Sequence, residues 1–520
     1  MTNKKLFQAW RLLLAAGLLL IGPAGIFSGI APAEAQTPPT NKPNILFFLT
    51  DDQDLMLSSL DYMPHLKALI ADHGATFSHY FVPLSLCCPS RSTLLTGEYT
   101  HNHEVFTNGT PDGGFEKAYA SGLESSTIAT MLQGDNYRTV LLGKYLNGYP
   151  DTASPTYIPP GWTEWYVPAA GHPYGNFNYT LNENGTLVQY GSAPEDYLTD
   201  VIAGKARDFI ERAAAAKAPF FMYLATYAPH QPATPAPRHA NLFPGIKAPR
   251  TPSFNERDVS DKPLFIRNLP LLTPKNIASI DALYRKRLQS LQAVDEAIAS
   301  LVKTLSDTGQ LANTYFVFTS DNGYHMGQHR QHPGKYTAYE EDIRLPLFVR
   351  GPNVRPGLRI DAYADEVDLA ATFLSMAGLP IPPSADGRSL LPWWSASPPA
   401  ASWRKMVFVE QYPFDRHTPP PASNGTLEPL DPADLLTTDP APFYQGLRTH
   451  TYKYIEYGTG EKEFYDLVRD PSELHNQASR LDPAFEAQLS AAVKAFASCA
   501  GDTCRSAEQI PLPPAPIYKP

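Results

Sequence analysis

One short segment of the sequence combines residue types that could bind or attack an anionic group. In the run Leu86-Cys87-Cys88-Pro89-Ser90-Arg91, a thiol precedes a Pro-Ser turn, and the apolar stretch 93–95 and Thr96-Gly97 follow. Ser90 could cap a helix and direct the preceding loop at an anion, and Arg91 would add fixed positive charge. A buried cysteine pair beside a capped helix is the alternative, and the spacing alone leaves it open.

Two polar doublets follow apolar runs elsewhere in the chain. Asp51-Asp52 comes directly after Asn44–Thr50, and Asp321-Asn322 comes directly after Thr314–Ser320. Because parallel strands end at one edge of a sheet, the four side chains could offer oxygen ligands to one cation. Such ligands suit Ca²⁺ or Mg²⁺ rather than a thiophilic metal. A plain turn or helix cap is the alternative interpretation of each doublet taken alone.

Three separate basic residues could bind the charge of an anionic ester. Lys144 follows Gly143, His230 ends Ala228-Pro-His, and Lys335 follows Gly334. A lone lysine or histidine is usually solvated or structural, so these positions gain weight only from their context.

A histidine-bearing loop follows the second doublet. It contains His325, His329 and His332, but no thiolate that would favour a structural zinc site. We expect His325 to contact substrate and the other two to lie in a solvated loop.

Taken together, these segments resemble the type I sulfatases. The run from Cys87 matches their signature Cys-x-Pro-x-Arg followed by Thr-Gly, in which the first cysteine is oxidised to formylglycine after translation. The resemblance implies that Cys87 is modified by a formylglycine-generating enzyme, and that Cys88 fills the variable position.

The resemblance also implies a site. Four side chains would hold one Ca²⁺: Asp51, Asp52, Asp321 and Asn322. The formylglycine at position 87 would complete the set of ligands. Arg91, Lys144 and Lys335 would stabilise charge on the sulfate ester, and His230 would protonate the leaving alcohol. In the family, the aldehyde hydrates, one hydroxyl attacks sulfur and the alcohol leaves. The second hydroxyl then expels sulfate and restores the aldehyde.

The form Cys-Cys-Pro-Ser-Arg is similar to the branch that contains N-acetylglucosamine-6-sulfatases and extracellular heparan 6-sulfatases. Segments 157–162, 284–287, 321–325 and 465–471 also agree, so the resemblance covers about residues 43–505. Many sulfatases carry a histidine two residues after the first lysine, whereas Leu146 and then Asn147 follow Lys144 here. The group that activates the hydrate is therefore unassigned, and Asn147 is a candidate substrate contact.

The implied reaction is hydrolysis of a sulfate ester to an alcohol and inorganic sulfate, on 6-O-sulfated glucosamine-type sugars or aryl sulfates. Two alternatives remain open. A formylglycine phosphonate or phosphodiester hydrolase shares the Cys-x-Pro-Ser-Arg core and the metal ligands. A secreted sulfated-glycan-binding protein would keep the pocket but would never be modified at Cys87.

The elements that must position these residues follow from hydrophobic patterning. Continuous apolar runs at 44–50, 137–142, 219–225 and 314–320 predict buried parallel strands, and three- and four-residue spacing predicts helices over 197–216 and 277–307. Their alternation predicts an α/β fold with a mostly parallel sheet and helices on both faces. The family resemblance implies that this fold is alkaline-phosphatase-like.

Short runs near 405–410, 446–450, 453–456 and 464–466 predict a smaller antiparallel α+β domain. We therefore expect a catalytic domain over 44–392, a C-terminal domain over 404–505 and a Pro-rich tail over 506–520. The segment 417–442 is rich in Pro, Thr and Asp and predicts an exposed insertion.

The N-terminus predicts export. Lys4, Lys5 and Arg11 precede an apolar stretch, and Ala33-Glu34-Ala35 offers a cleavage site, so residues 1–35 resemble a signal peptide and 36–43 a linker. A membrane anchor is the alternative, and no later segment offers a comparable apolar run. Export would place the protein in the periplasm, outside the cell, or in a lysosome if the source is eukaryotic.

The net charge of the chain limits the classes of partner that it can bind. A net charge of -10 in 520 residues argues against a general nucleic-acid binder and gives no support for wrapping a long polyanion, so we expect a short or terminal sugar. Export permits a local disulfide between Cys499 and Cys504. Asn108, Asn178, Asn184 and Asn424 begin glycosylation motifs, which matter only if the source has the machinery.

Overall fold

The computed structural model describes residues 42–394, 403–413 and 441–514. Within them, ten strands form one sheet. They are β1 (Asn44–Thr50), β2 (Ala75–Phe81), β3 (Arg138–Gly143), β4 (Glu164–Gly171), β5 (Tyr179–Glu183), β6 (Thr186–Tyr190), β7 (Phe220–Ala225), β8 (Thr314–Ser320), β9 (Arg344–Arg350) and β10 (Leu358–Asp365).

The strand order in this sheet is β10-β2-β9-β8-β1-β7-β3-β4-β5-β6. The central strands β8, β1, β7, β3 and β4 run parallel to one another, whereas β9 is antiparallel to both its neighbours and β5 and β6 form an antiparallel edge. The predicted α/β class with a mostly parallel sheet is thus confirmed. The four predicted strand runs match β1, β3, β7 and β8 to within one residue.

Helices cover both faces of the sheet. They are α1 (Pro64–Leu66), α2 (Cys87–Thr96), α3 (Thr100–His103), α4 (Gly114–Ser121), α5 (Ile128–Gly134), α6 (Leu198–Ala216), α7 (Leu264–Arg267), α8 (Pro274–Asp307), α9 (Glu340–Ile343), α10 (Val367–Met376), α11 (Pro483–Ala497) and α12 (Asp502–Ala507). Every residue of β1 is buried, because Phe47 faces the core beside α10 while Phe48 faces the core beside α6 and α8. A continuous apolar run is what such a doubly covered strand requires.

Four further strands form an antiparallel sheet near the C-terminus: β11 (Met406–Gln411), β12 (Tyr444–Thr449), β13 (Tyr452–Tyr457) and β14 (Lys462–Asp466). Helix α11 packs on this sheet, with Phe496 stacked on Phe408 at 5.3 Å between ring centroids. The same apolar cluster includes Tyr99 and Val367 from the larger part of the molecule. The expected small antiparallel unit with a helix is therefore present.

Some expectations fall outside the described residues. These are the signal peptide over 1–35, most of the linker over 36–43, and nearly all of the insertion over 417–442. The domain boundaries stay a prediction, and α12 continues two residues beyond the expected boundary at 505. Within the described ranges, no helix has both the length and the apolar character needed to cross a bilayer.

Candidate active site

Cys87 is the first residue of helix α2. Leu86, with an extended backbone (φ -153°), precedes it, so the helix begins four residues earlier than a cap at Ser90 requires, and that interpretation of Ser90 is wrong. The physical reason is Pro89, whose missing N–H costs nothing in the first turn, where backbone N–H groups have no partner within the helix. This places the Cys87 side chain at the helix start, where it is fully buried.

The Cys87 thiol lies among opposite charges. Its Sγ atom is 2.8 Å from Nζ of Lys335 and 3.5 Å from Oδ1 of Asp51. Burial raises the pKa of the thiol well above its ordinary range, although Lys144 and Lys335 act in the opposite direction. The unmodified side chain is therefore a neutral thiol in this position rather than a reactive thiolate.

The two polar doublets do meet at one edge of the sheet, as predicted. β1 and β8 are parallel neighbours, and Asn322 Nδ2 donates to Oδ1 of Asp52 at 2.7 Å. Asp321 Oδ1 accepts the backbone N–H groups of Asp52 and Asn322 at 3.0 and 2.9 Å. These contacts join the ends of the two strands into one acidic cluster.

Arg91 binds this cluster from helix α2. Its Nε and Nη2 atoms lie 3.0 and 2.8 Å from Oδ2 of Asp321, and its Nη1 donates to the carbonyl oxygen of Lys144 at 2.9 Å. Burial opposes ionisation of Asp321, but Arg91 and the nearby lysines outweigh it and lower the pKa of this carboxyl. Arg91 and Asp321 are thus a buried ion pair that fixes the helix to the strand end.

Lys144 and Lys335 each pair with one acid of the first doublet. Lys144 Nζ is 2.8 Å from Oδ2 of Asp51, and Lys335 Nζ is 2.7 Å from Oδ1 of Asp52. Burial alone would lower the pKa of Lys144, but Asp51 reverses this and raises it. Lys144 therefore stands as an ammonium group near Cys87, and Lys335 Nζ contacts the Cys87 Sγ atom directly.

The cluster fits a hard cation. Asp52 Oδ2 and Asn322 Oδ1 are buried oxygens that accept no hydrogen bond, which is costly unless a ligand uses them. The donor atoms of Asp51, Asp52, Cys87 and His230 all lie within 4.8 Å of one another. Carboxylate and amide oxygens are the ligands that Ca²⁺ prefers. Asp321 Oδ2 is already engaged by Arg91, so its share in such a site stays a prediction.

His230 joins the same cluster from the loop after β7. Its Nε2 atom is 3.5 Å from Oδ2 of Asp52, and its Nδ1 atom is 2.6 Å from the carbonyl oxygen of Gln231. A carbonyl only accepts, so Nδ1 carries a hydrogen and the imidazole presents Nε2 to the site. The Tyr174 ring packs against the imidazole at 4.4 Å between centroids.

The two candidate substrate contacts are both buried. Asn147 donates from Nδ2 to the hydroxyl of Tyr174 at 3.2 Å, while its Oδ1 accepts no hydrogen bond. His325 pairs through Nδ1 with Asp342 at 2.9 Å, and its backbone bridges Gly334, next to Lys335. Asn147 is linked to Lys144 through Tyr174, whose ring centroid lies 4.9 Å from the Lys144 Nζ atom, and His325 is linked to Lys335 through Gly334. Their contact with substrate stays a prediction.

The expectation of a solvated loop at His329 is wrong. His329 is fully buried, with Nδ1 2.6 Å from Oε2 of Glu256 and its ring stacked on Tyr339 at 4.0 Å. Residues distant in sequence cover this loop, since Ser253 accepts the His329 N–H and Glu256 and Tyr339 contact its ring, which the local sequence could not show. His332, in contrast, is exposed as expected.

Sequence reasoning missed two residues that support the site. Arg287 donates from Nη1 to the carbonyl oxygen of Pro229 at 3.2 Å and from Nη2 to that of Asp52. Asn108 accepts the backbone N–H of Cys88 at 2.8 Å and so satisfies a donor in the first turn of α2. Arg287 ends one of the segments quoted above, 284–287, which was the available signal, whereas Asn108 was noted only as a glycosylation motif.

Comparison with known proteins agrees with this geometry. The model of the sulfatase family matches residues 43–379. Human N-acetylglucosamine-6-sulfatase is 36% identical over 507 residues, covering 94% of this chain and 89% of the human protein. The arylsulfatase of Volvox carteri is 33% identical, covering 94% of this chain and 79% of that protein.

Another protein, solved in complex with its substrate D-glucosamine-2-N,6-O-disulfate, has the same fold. It matches with a TM-score of 0.71 at 24% identity, covering 90% of this chain and 99% of that one. The fold is therefore that of alkaline-phosphatase-like sulfatases. The family match, together with full-length relatives above 30% identity, shows that this chain belongs to the sulfatase family of enzymes.

Proposed function

We propose that this sulfatase uses a formylglycine derived from Cys87 to hydrolyse 6-O-sulfated glucosamine-type sugars, and that simple aryl sulfates also react. The observation that carries the proposal is the placement of Cys87. It is fully buried at the start of α2, with Lys335 Nζ at 2.8 Å from its Sγ atom. Arg91, which pairs with Asp321, lies one turn further along the same helix.

The charge of the site supports binding of an anionic ester. Three carboxylates, Asp51, Asp52 and Asp321, are balanced by three buried cations: Arg91, Lys144 and Lys335. A divalent cation would give the cluster a net positive charge, which suits a sulfate monoester. Since the cations are already held by ion pairs, little reorganisation is needed when charge develops on the sulfuryl oxygens.

We assign the cation site to Asp51, Asp52 and Asn322, with Asp321 completing it, and Ca²⁺ as the ion. A bound Ca²⁺ would supply positive charge close to the sulfuryl group. The buried oxygens of Asp52 and Asn322 that accept no hydrogen bond support this assignment. Arg287 and Asp321 hold the backbone of Asp52 and so fix the direction of its carboxylate.

The modified residue supplies, in its hydrated form, the hydroxyl that attacks sulfur. His230 is the proposed acid for the leaving alcohol. Since Nδ1 already donates to the Gln231 carbonyl, the transferable proton must sit on Nε2, so the active form is the imidazolium. Oδ2 of Asp52 faces the same nitrogen at 3.5 Å.

The substrate class rests on the relatives. The human relative is named for N-acetylglucosamine 6-sulfate, and the Volvox carteri relative for aryl sulfates. The site combines cations for the sulfate with a buried amide, Asn147, whose Oδ1 accepts no hydrogen bond and could take a sugar hydroxyl. We therefore place a 6-O-sulfated glucosamine unit, short or terminal, ahead of an aryl ester.

Export is part of the proposal. The basic, apolar and Ala-x-Ala order of the first 35 residues supports a signal peptide. The disulfide between Cys499 and Cys504, with Cα atoms 4.8 Å apart, is of the kind found in oxidising compartments.

The test begins with the mass of the Cys87 peptide from protein matured in its own source. We expect the aldehyde or its hydrate at Cys87 and an unaltered thiol at Cys88. Sulfate release is then measured on glucosamine 6-sulfate, N-acetylglucosamine 6-sulfate, an aryl sulfate and an aryl phosphonate at equal concentration. Cys87→Ala should abolish turnover, whereas Cys88→Ala, a matched buried control, should keep it.

Each competing interpretation has its own result. Faster turnover of the phosphonate would favour a phosphonate hydrolase. An unmodified thiol at Cys87 in a protein that binds sulfated sugars without releasing sulfate would make it a binding protein. Full sulfate release by the Cys87→Ala variant would overturn the formylglycine mechanism.

A further inference from the structure

The short segment that follows Lys335 is held by the C-terminal sheet. Strands β12, β13 and β14 each direct one buried charged side chain at residues 338–340. Arg448 of β12 donates from Nε and Nη2 to the two carboxylate oxygens of Glu340, at 3.0 and 2.9 Å. Lys453 of β13 donates from Nζ to the carbonyl oxygen of Ala338.

Strand β14 provides the third contact. Its Glu463 accepts the hydroxyl hydrogen of Tyr339 at 2.8 Å from Oε1. Glu463 and Tyr339 are both buried, with 1% and 2% of their surfaces exposed, so this bond is formed away from solvent. Hydrogen bonds to a buried charged group are among the stronger ones in proteins. The C-terminal sheet therefore binds three consecutive residues, 338–340, of the segment.

Lys335 lies at the other end of the same segment. Its Nζ contacts Asp52 at 2.7 Å and Cys87 at 2.8 Å. Between it and Tyr339, Tyr336 has φ +83°, a conformation that costs a bulky residue energy and persists only where its surroundings impose it. The Ser85 hydroxyl accepts the Tyr336 N–H at 3.2 Å and Asp342 accepts the Thr337 N–H at 3.0 Å, and the contacts with the C-terminal sheet follow at residues 338–340.

We propose that Tyr339 is a positioning residue, through which Glu463 of the C-terminal sheet holds Lys335 in place against residue 87. The inference rests on the proposed function, because that function makes the place of the Lys335 ammonium important for turnover. The C-terminal sheet thus contributes to catalysis without touching the substrate. A displacement of about 1 Å in a catalytic group can cost up to roughly 100-fold in rate.

Glu463 also provides a matched control. Its carboxylate also accepts the hydroxyl hydrogens of Tyr457 of β13, through Oε2 at 2.6 Å, and of Tyr465 of β14, through Oε1 at 2.5 Å. Tyr339→Phe and Tyr457→Phe each remove one hydroxyl from this carboxylate at sites of similar burial, and Oε1 keeps Tyr465 in the first variant. Only the first variant breaks a bond between the sheet and the Lys335 segment, since the second breaks a bond within the sheet.

The experiment compares these variants with the wild-type enzyme in two ways. Hydrogen exchange by mass spectrometry follows the peptide that contains residues 335–342, and steady-state kinetics give kcat and KM on an aryl sulfate. For Tyr339→Phe we expect faster exchange in that peptide and a kcat lowered about tenfold, with KM changed less than kcat. For Tyr457→Phe we expect a thermal midpoint lowered at least as much as in Tyr339→Phe, because Oε2 loses its tyrosine while Oε1 keeps Tyr465 in the other variant. Exchange of the 335–342 peptide and kcat should stay near the wild-type values.

The outcomes separate this inference from the proposed function. Equal losses of kcat in both variants, following their thermal midpoints, would overturn the positioning role. So would faster exchange in Tyr339→Phe without any change in kcat. If the wild-type protein releases no sulfate, the proposed function fails. Unchanged exchange in the 335–342 peptide of Tyr339→Phe would then show separately that the Tyr339–Glu463 bond does not hold this segment in place.

Discussion

The hydroxyl of Ser90 donates a 2.7 Å hydrogen bond to Oε1 of Glu366, a carboxyl fully buried beside the start of α10. The bond fixes α2, the helix that begins with Cys87, to a second helix on the same face of the sheet. Burial raises the pKa of Glu366 well above its ordinary value of 4.5. Burial therefore favours the protonated, neutral form of this carboxyl in the fold.

This relationship predicts different outcomes for two variants. Ser90→Ala should lower the free energy of unfolding by about 1–3 kcal/mol, because it leaves a buried acceptor unpaired. Glu366→Gln keeps a neutral acceptor and should be tolerated. A carboxyl whose pKa is raised by folding makes the fold less stable as pH rises from about 4.5 toward the folded-state pKa. The Glu366→Gln variant should therefore gain stability relative to wild type between pH 5 and pH 8.

Urea unfolding at the two pH values measures both effects. Ser92→Ala is the control, because Ser92 Oγ donates only within the helix, to the carbonyl oxygen of Cys88. A Glu366→Gln variant that loses relative stability as pH rises would show that the native carboxyl is ionised.

The Ser90–Glu366 bond also shows where sequence reasoning ends. The strands β1 and β8 and the polar residues after them could be predicted, because a doubly buried strand needs a continuous apolar run and its end needs polar groups. The partner of Ser90 lies 276 residues away and follows no local pattern. The start of α2 was missed because Pro89 indicated a turn, although proline is also compatible with a first helical turn. His329 was misplaced because burial of a loop depends on what packs over it.

Asn108 should remain unglycosylated even where the machinery is present. Only 6% of its surface is exposed, and its amide oxygen accepts the Cys88 N–H at 2.8 Å. Asn178 and Asn184, in contrast, are exposed. Peptide mass spectrometry of protein made in a glycosylating host should find glycan at one or both exposed sites and none at Asn108.

The same contact predicts a cost for losing the Asn108 amide. Asn108→Ala should destabilise the fold by about 1–2 kcal/mol, as loss of a helix-capping acceptor does. Asn108→Asp keeps an acceptor oxygen and is the control. A fully occupied glycan at Asn108, or an Asn108→Ala variant as stable as wild type, would contradict this role.

Calcium should stabilise the folded protein through the acidic cluster. A ligand that binds only the native state at 100 times its dissociation constant adds about 2.7 kcal/mol. We expect Ca²⁺ to raise the thermal midpoint of protein treated with a chelator and to restore sulfate release, with Mg²⁺ less effective.

Two variants locate the ion. Asn322→Leu should abolish the Ca²⁺-dependent shift, because it removes an oxygen that accepts no hydrogen bond in the fold. Asp54→Asn is the control, since the Asp54 carboxylate instead faces the Ser59 N–H and Arg287. A shift lost equally in both variants would place the ion outside the proposed set.

The buried pair of His329 and Glu256 should hold one proton between them over a wide pH range. Burial lowers the pKa of His329 from 6.5 to about 3 and raises that of Glu256 from 4.5 to about 7. In the fold, the imidazole is therefore neutral and the carboxyl protonated between these values. In the unfolded chain between pH 4.5 and 6.5, the imidazole is protonated and the carboxyl is not.

Both states then carry one proton on the pair, so its effect on stability should be flat across that window. Replacing either residue removes this equality, because the folded and unfolded states then bind different numbers of protons. His329→Gln leaves Glu256, whose raised pKa makes stability fall as pH rises from 4.5 toward 7. Glu256→Gln leaves His329, whose lowered pKa makes stability fall as pH drops below 6.5.

Urea midpoints of the two variants at pH 4.5, 5.5 and 6.5, referred to wild type at each pH, measure these slopes. We expect slopes of opposite sign, each no steeper than about 1.4 kcal/mol per pH unit, the limit for one proton. The solvent-exposed His332 provides the control variant His332→Gln, which should follow wild type. Slopes of the same sign would contradict the opposite directions of the two pKa shifts.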